Sequence, residues 1–127
     1  MPESADDLKK RFAHIREINI SVTGRKSGAT ITLPVWFVLE GDKLYLLPVF
    51  GSDTQWFKNL EKHRALGISA KGWEANFKPA IVSDPKVVKA VADKFRTKYG
   101  AADVKKYYKK FDVAVHVALE HPGSAAA

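Results

Sequence analysis

The sequence contains no cysteine, which excludes disulfides, thiolate metal sites and cysteine nucleophiles. No apolar run approaches the ~20 residues that a membrane helix needs. Residues 1–16 are charged where a secretory signal would carry an apolar stretch. These features lead us to expect a cytoplasmic protein. There is no HExxH pair, no GxSxG elbow, no Walker loop and no GxGxxG turn. The histidines, His14, His63, His116 and His121, are scattered. The sequence thus offers no hydrolytic site, no metal site and no Rossmann-type dinucleotide fold.

What remains is ordinary globular material: 127 residues, 46% hydrophobic and 28% charged. That length suits one domain over residues 1–127 and is enough to bury a core. The formal net charge is +7. Its location is informative, because Pro85–Lys110 carries Lys86, Lys89, Lys94, Arg96, Lys98, Lys105, Lys106, Lys109 and Lys110 against Asp93 and Asp103 alone. A basic surface of this kind attracts anions, whether a coenzyme phosphate, a polyanionic tail or nucleic acid, or simply keeps the chain soluble.

Periodicity gives the elements. Residues 6–14 predict a short helix. In Glu17–Thr23, Ile18, Ile20 and Val22 alternate with Asn19, Ser21 and Thr23, the mark of a half-buried strand. A glycine-bracketed turn, Gly24–Gly28, leads to a second strand over Thr30–Leu39. The Glu40–Lys43 turn leads to a third strand over Leu44–Phe50. A helix is expected over Asp53–His63, capped by Ser52 or Asp53, then strands over Ala65–Ala70 and Glu74–Val82. Asp84-Pro85 opens a long helix with the stripe Val88, Val91, Ala92, Phe95 and Tyr99, ended by Gly100. A short helix over Ala102–Phe111 and a last strand through Val113, Val115, Val117 and Leu119 follow. The tail from His121 reads as frayed. The expected fold is mainly β with helices (α+β): a six-stranded antiparallel split β-barrel with flanking helices.

Three features carry chemistry. Arg25, Lys26 and Ser27 on the first glycine turn suit a phosphate or carboxylate, or else decorate an exposed hairpin. Pro34 cannot donate to a ladder and belongs at an edge, bulge or gap. Beside it, Trp36 can stack on a planar ligand or fill a second core under the long helix. Gly51-Ser52 leads into a helix start, where free N–H groups favour an anion. Trp56 and Asn59, three apart, share a face of that helix.

Taken together, the Gly24–Gly28 turn, Pro34, the Gly41–Leu46 hairpin and the Trp56-x-x-Asn59-Leu60 helix start resemble the deazaflavin-dependent nitroreductase family, within the FMN-binding split β-barrel superfamily. The resemblance implies coenzyme F-420, an 8-hydroxy-5-deazaflavin, and hydride transfer to a small conjugated acceptor such as a nitroaromatic or quinone. It implies coenzyme contacts from Arg25, Lys26, Ser27, Pro34, Val35, Trp36, Gly51, Ser52, Trp56 and Asn59. It also places tyrosines, here Tyr107 and Tyr108, at the acceptor wall, and a homodimer is common on such barrels. Where the family often has Ser-Lys before its glycines, this chain has Val49-Phe50, and Ile31 replaces a basic residue. FMN therefore stays the alternative coenzyme. A coenzyme carrier and a single-stranded nucleic-acid-binding barrel, stacking bases on Trp36, Trp56 and Trp73, are the non-enzyme alternatives.

Overall fold

The computed structural model describes residues 10–12 and 14–119. Residues 10–12 are helical, while the rest of the expected 6–14 helix apart from His14, and the tail from His121, lie outside the described residues. Eight strands follow: β1 (Glu17–Thr23), β2 (Thr30–Trp36), β3 (Val38–Glu40), β4 (Lys43–Leu46), β5 (Leu66–Ala70), β6 (Trp73–Phe77), β7 (Ala80–Val82) and β8 (Ala114–Ala118). Besides residues 10–12, the helices are α1 (Gln55–Lys62), α2 (Pro85–Tyr99) and α3 (Ala101–Tyr107), with a 3-10 turn at Gly51–Asp53.

The strands form two antiparallel sheets, ordered β2-β1-β5-β6 and β3-β4-β8-β7. The expected six strands become eight because two long ones break. The chain passes from an edge of the first sheet to an edge of the second between β2 and β3, and again between β6 and β7. Among the described residues the ladders do not join the sheets into a hydrogen-bonded ring, so in place of the expected six-stranded split barrel there are two four-stranded sheets linked at their edges.

The first break has a clear cause. The Phe37 N–H donates to the Tyr99 hydroxyl at 3.1 Å, and the Phe37 carbonyl accepts from Lys98 Nζ at 2.8 Å. The Tyr99 hydroxyl in turn donates to the Arg16 carbonyl at 2.6 Å. Residues 61 and 62 positions along the chain therefore satisfy the backbone of Phe37, and it leaves the ladder. Burial pushes the Tyr99 hydroxyl up to about 12, against the opposing pull of the Phe37 hydrogen bond and Arg16. Although Lys98 is exposed overall, its ammonium tip lies 3.5 Å from the centroid of the Phe37 ring. Burial of that tip, then Arg16, lower it to about 8.

Two cores result. Ile18, Ile20, Val22, Leu44, Leu46, Leu66, Ile68, Val115 and Val117 fill the space between the sheets. Val88, Val91, Ala92, Phe95, Tyr99, Val104 and Tyr108 pack α2 and α3 against Val38, Leu47 and Ala114. The α2 stripe is buried throughout, as its spacing requires. Asp84 caps α2 by accepting from the Lys86 N–H, and Gly100 ends it at a φ of 95°. The short α3 stops at Tyr107, before the expected Phe111.

Candidate functional site: an aromatic cavity

A cavity of about 680 Å³ opens where the β2 edge meets the start of α1 and the end of α3. Strand β2 is an edge strand, which is where Pro34 is tolerated, opposite Asn19 of β1. Pro34, Val35 and Trp36 form one wall, Phe50, Gln55 and Trp56 a second, and Tyr107 and Tyr108 a third. Trp36 is a stacked indole: Tyr99 lies parallel to it at 4.1 Å and 7°, and Tyr107 meets it edge-on at 5.5 Å. The Arg16 guanidinium carbon sits 5.6 Å from its centroid. Trp36 packs against the second core and also lines the cavity.

Tyr107 ends α3 and Tyr108 follows it in extended geometry, and the two are buried differently. Tyr108 is 5% exposed and packs against Phe95, whereas Tyr107 is 47% exposed. Burial, reinforced by Tyr99, pushes the Tyr108 hydroxyl well above the usual tyrosine range, so it stays a neutral donor.

The two glycine turns expected to hold anions are satisfied from within. Arg25 donates from its backbone N–H and from Nη1 to the Asn59 Oδ1, at 3.0 and 2.8 Å, and from Nη2 to the Gln55 Oε1 at 2.8 Å. Asn59 is buried, and Arg25 ties the first turn to α1. Ser27 accepts from the Ala29 N–H, and the Gly28 N–H donates to the Gly24 carbonyl. Lys26 is exposed.

At the second turn, the Ser52 N–H donates to Asp112 Oδ1 at 2.9 Å and the Ser52 hydroxyl donates to Oδ2. Gly51 has a φ of +55°, and a Cβ there would lie 2.0 Å from the Asp112 carboxylate. Only glycine permits this approach. Lys110 pairs with Asp53 at 3.1 Å and with Asp112 at 3.6 Å. Burial alone would raise the Asp112 carboxyl, but the Ser52 hydrogen bonds and the Lys110 ammonium outweigh it and hold it below the usual range. The N-cap of α1 is Thr54, not Ser52 or Asp53, and no side chain caps that helix start. Instead the Thr54 hydroxyl accepts from the Phe50 N–H.

The cavity thus gathers Pro34, Val35, Trp36, Trp56, Tyr107 and Tyr108. Arg25, Lys26, Ser27, Gly51, Ser52 and Asn59 do not line it. Sequence reasoning passed over three relevant residues. Asp112 gave no signal, since its partner is 60 positions away. Phe50 was read as the end of a strand, yet it is 54% exposed in the cavity wall. Glu17, the sole charged lining residue among the described residues, was read only as the start of a strand.

Residues 8–117 match the family described as "Uncharacterized protein conserved in bacteria (DUF2255)". The chain belongs to the DUF2255 family. No curated protein matches this DUF2255 chain by sequence. Solved structures with its fold include a reductase dependent on reduced coenzyme F-420 (FDR-A) at a TM-score of 0.63, with 15% identity over 80% of this chain and 93% of that one. A putative 5-nitroimidazole antibiotic resistance protein from Bacteroides thetaiotaomicron superposes at 0.67, with 14% identity over 91% and 80% of the two chains. HutZ, the heme storage protein from Vibrio cholerae, superposes at 0.69, with 13% identity over 97% and 93%. At these identities the DUF2255 chain shares a fold with proteins of different ligands, and its own cavity must decide between them.

Proposed function

We propose that the protein binds a flat flavin-type coenzyme in the aromatic cavity, coenzyme F-420 ahead of FMN, and uses it to reduce a small conjugated acceptor. The observation that carries this reading is the cavity itself: about 680 Å³, walled by two indoles and two phenols, with Glu17 as the one charged lining residue among the described residues. A planar tricyclic ring gains from such walls by burial and stacking. Pro34, Val35, Trp36 and Trp56 would hold the ring. The exposed Lys26, and Lys106 beside the Tyr107 ring, would meet its anionic chain.

When bound, such a coenzyme supplies the hydride. The chain's own residues orient the partners and exclude water. Tyr108 offers a neutral hydroxyl able to donate to a nitro or quinone oxygen.

Heme fits this lining less well. No histidine, cysteine or methionine lines the cavity among the described residues, leaving tyrosine as the only axial ligand of the usual kinds. The nucleic-acid alternative needs exposed stacking platforms. Trp56 is buried, Trp73 packs against Phe12 and Phe77, and Trp36 is half-buried in the cavity wall, so the three form no exposed platform.

Fluorescence titration with both coenzymes tests the reading. Tighter binding of coenzyme F-420 than FMN is expected. Micromolar FMN binding without detectable deazaflavin binding would replace the deazaflavin assignment by the FMN one.

A further inference from the structure

The register of the first sheet places Glu17 directly opposite Trp36, two positions from the Asn19–Pro34 pair. Residues of one strand alternate between faces. Ile18, Ile20 and Val22 point into the core, so Glu17 shares the outer face with Trp36 and Pro34. Directly opposed side chains begin about 4.5–5.5 Å apart. The Glu17 carboxylate therefore lies beside the indole that lines the cavity. Among the described residues no hydrogen bond or ion pair reaches it. The neighbouring Arg16 is instead engaged over the rings of Trp36 and Tyr99. The other lining groups are aliphatic, aromatic, hydroxyl or amide. Glu17 is exposed, so water solvates its carboxylate; a ligand that covers it is favoured if it donates a hydrogen bond in place of that water and disfavoured if it brings negative charge there.

We propose that Glu17 is the specificity-determining residue of the cavity, accepting a hydrogen bond from an N–H edge of a planar heteroaromatic ligand and rejecting rings with an anionic edge there. This inference rests on the flavin-type reading and adds an orientation to it: the imide edge turns toward β1, and the anionic chain leaves on the side of Lys26 or Lys106. Flavins and 5-deazaflavins both carry an imide N–H, so the two coenzymes share the chemistry that Glu17 would read.

Lumiflavin and its N3-methyl derivative test this directly. Both are neutral rings without a phosphate chain, and only the first has the donor. Binding to the full chain is followed by flavin fluorescence for the wild type, Glu17→Gln, Glu17→Leu and Glu74→Gln. Glu74 sits on β6, outside the cavity, and controls for overall charge. The wild type and Glu74→Gln should bind lumiflavin at least tenfold more tightly than the methylated ring. Glu17→Leu should lose that preference while still binding both. Glu17→Gln, which keeps an acceptor but not the charge, should retain part of it. A preference in Glu17→Leu equal to the wild type overturns the role of Glu17, as does equal binding of both rings by the wild type. In either case the cavity is still a ring site and the flavin-type reading stands. If neither ring binds the wild type, both the inference and that reading fall.

Discussion

The charged turns and the aromatic wall of this protein solve opposite problems. At the Gly24–Gly28 turn, Arg25 is committed to Asn59 and Gln55. At the Gly51 turn, the Asp112 carboxylate occupies the Ser52 donors. Both turns have the composition of anion sites, and both spend it on joining distant parts of the chain. The wall of Trp36, Trp56, Tyr107 and Tyr108 is held instead by ring contacts, Trp36 meeting Tyr99, Tyr107 and Tyr108, and it borders an open cavity. A pattern of glycine, cation and hydroxyl shows that an anion or dipole will be bound, not whose it is.

The two turns can be separated by the same substitution at each. At Gly51 an added Cβ meets the Asp112 carboxylate, and φ is positive. Gly51→Ala should cost about 2–5 kcal/mol, from left-handed strain of ~1–2 kcal/mol and overpacking of ~1–3 kcal/mol. Gly28 also has a positive φ, but nothing lies within 4 Å of its would-be Cβ. Gly28→Ala should cost only the strain, about 1–2 kcal/mol. Urea unfolding of both variants checks the order, and equal losses would mean that the Asp112 contact is not what constrains Gly51.

Asn59→Ala removes the buried acceptor of two Arg25 hydrogen bonds and should cost about 1–3 kcal/mol of stability. Its effect on coenzyme affinity should stay within threefold. A large affinity loss at unchanged melting temperature would return the turn to the binding site.

A smaller effect sharpens the contrast between the two groups at the strand break. Lys98 is lowered to about 8 in the folded protein from its ordinary 10.5. Between those values the unfolded chain holds a proton that the folded one has lost, so the Lys98 contribution to stability rises with pH across that window. Tyr99 is raised to about 12 from its ordinary 10. Above pH 10 the folded chain keeps a proton that the unfolded one loses, so its contribution falls from there to about 12. Unfolding of Lys98→Met should lack the rise, and unfolding of Tyr99→Phe should lack the fall. Parallel pH profiles for the wild type and both variants would contradict the account.

These contrasts follow what a sequence can and cannot display. The span of β1 and the stripe of α2 were legible because local periodicity reports which face is buried. The break at Phe37 was not, since alternation runs straight through it from Leu33 to Leu39. Tyr99 and Lys98 cause the break from across the fold. In the site, Pro34 stood out by being unusual in a strand, and Trp36 by lying beside it on the same face. Glu17 and Phe50 did not, because neither is unusual for the element in which it sits. Asp112 could be found only once the fold brought it over Gly51.

The central claim, that the wall contributes more to ligand binding than the turns, is tested most directly by titrating coenzyme F-420 into the wild type, Trp36→Leu and Lys26→Ala, with melting temperatures recorded alongside. Loss of the stacking indole should weaken binding about fivefold or more, in keeping with ~1–3 kcal/mol for an aromatic stack. Loss of the exposed Lys26 cation should change it less than threefold, as a solvent-screened charge does. Wild-type affinity in Trp36→Leu, or a greater loss in Lys26→Ala, would contradict the account.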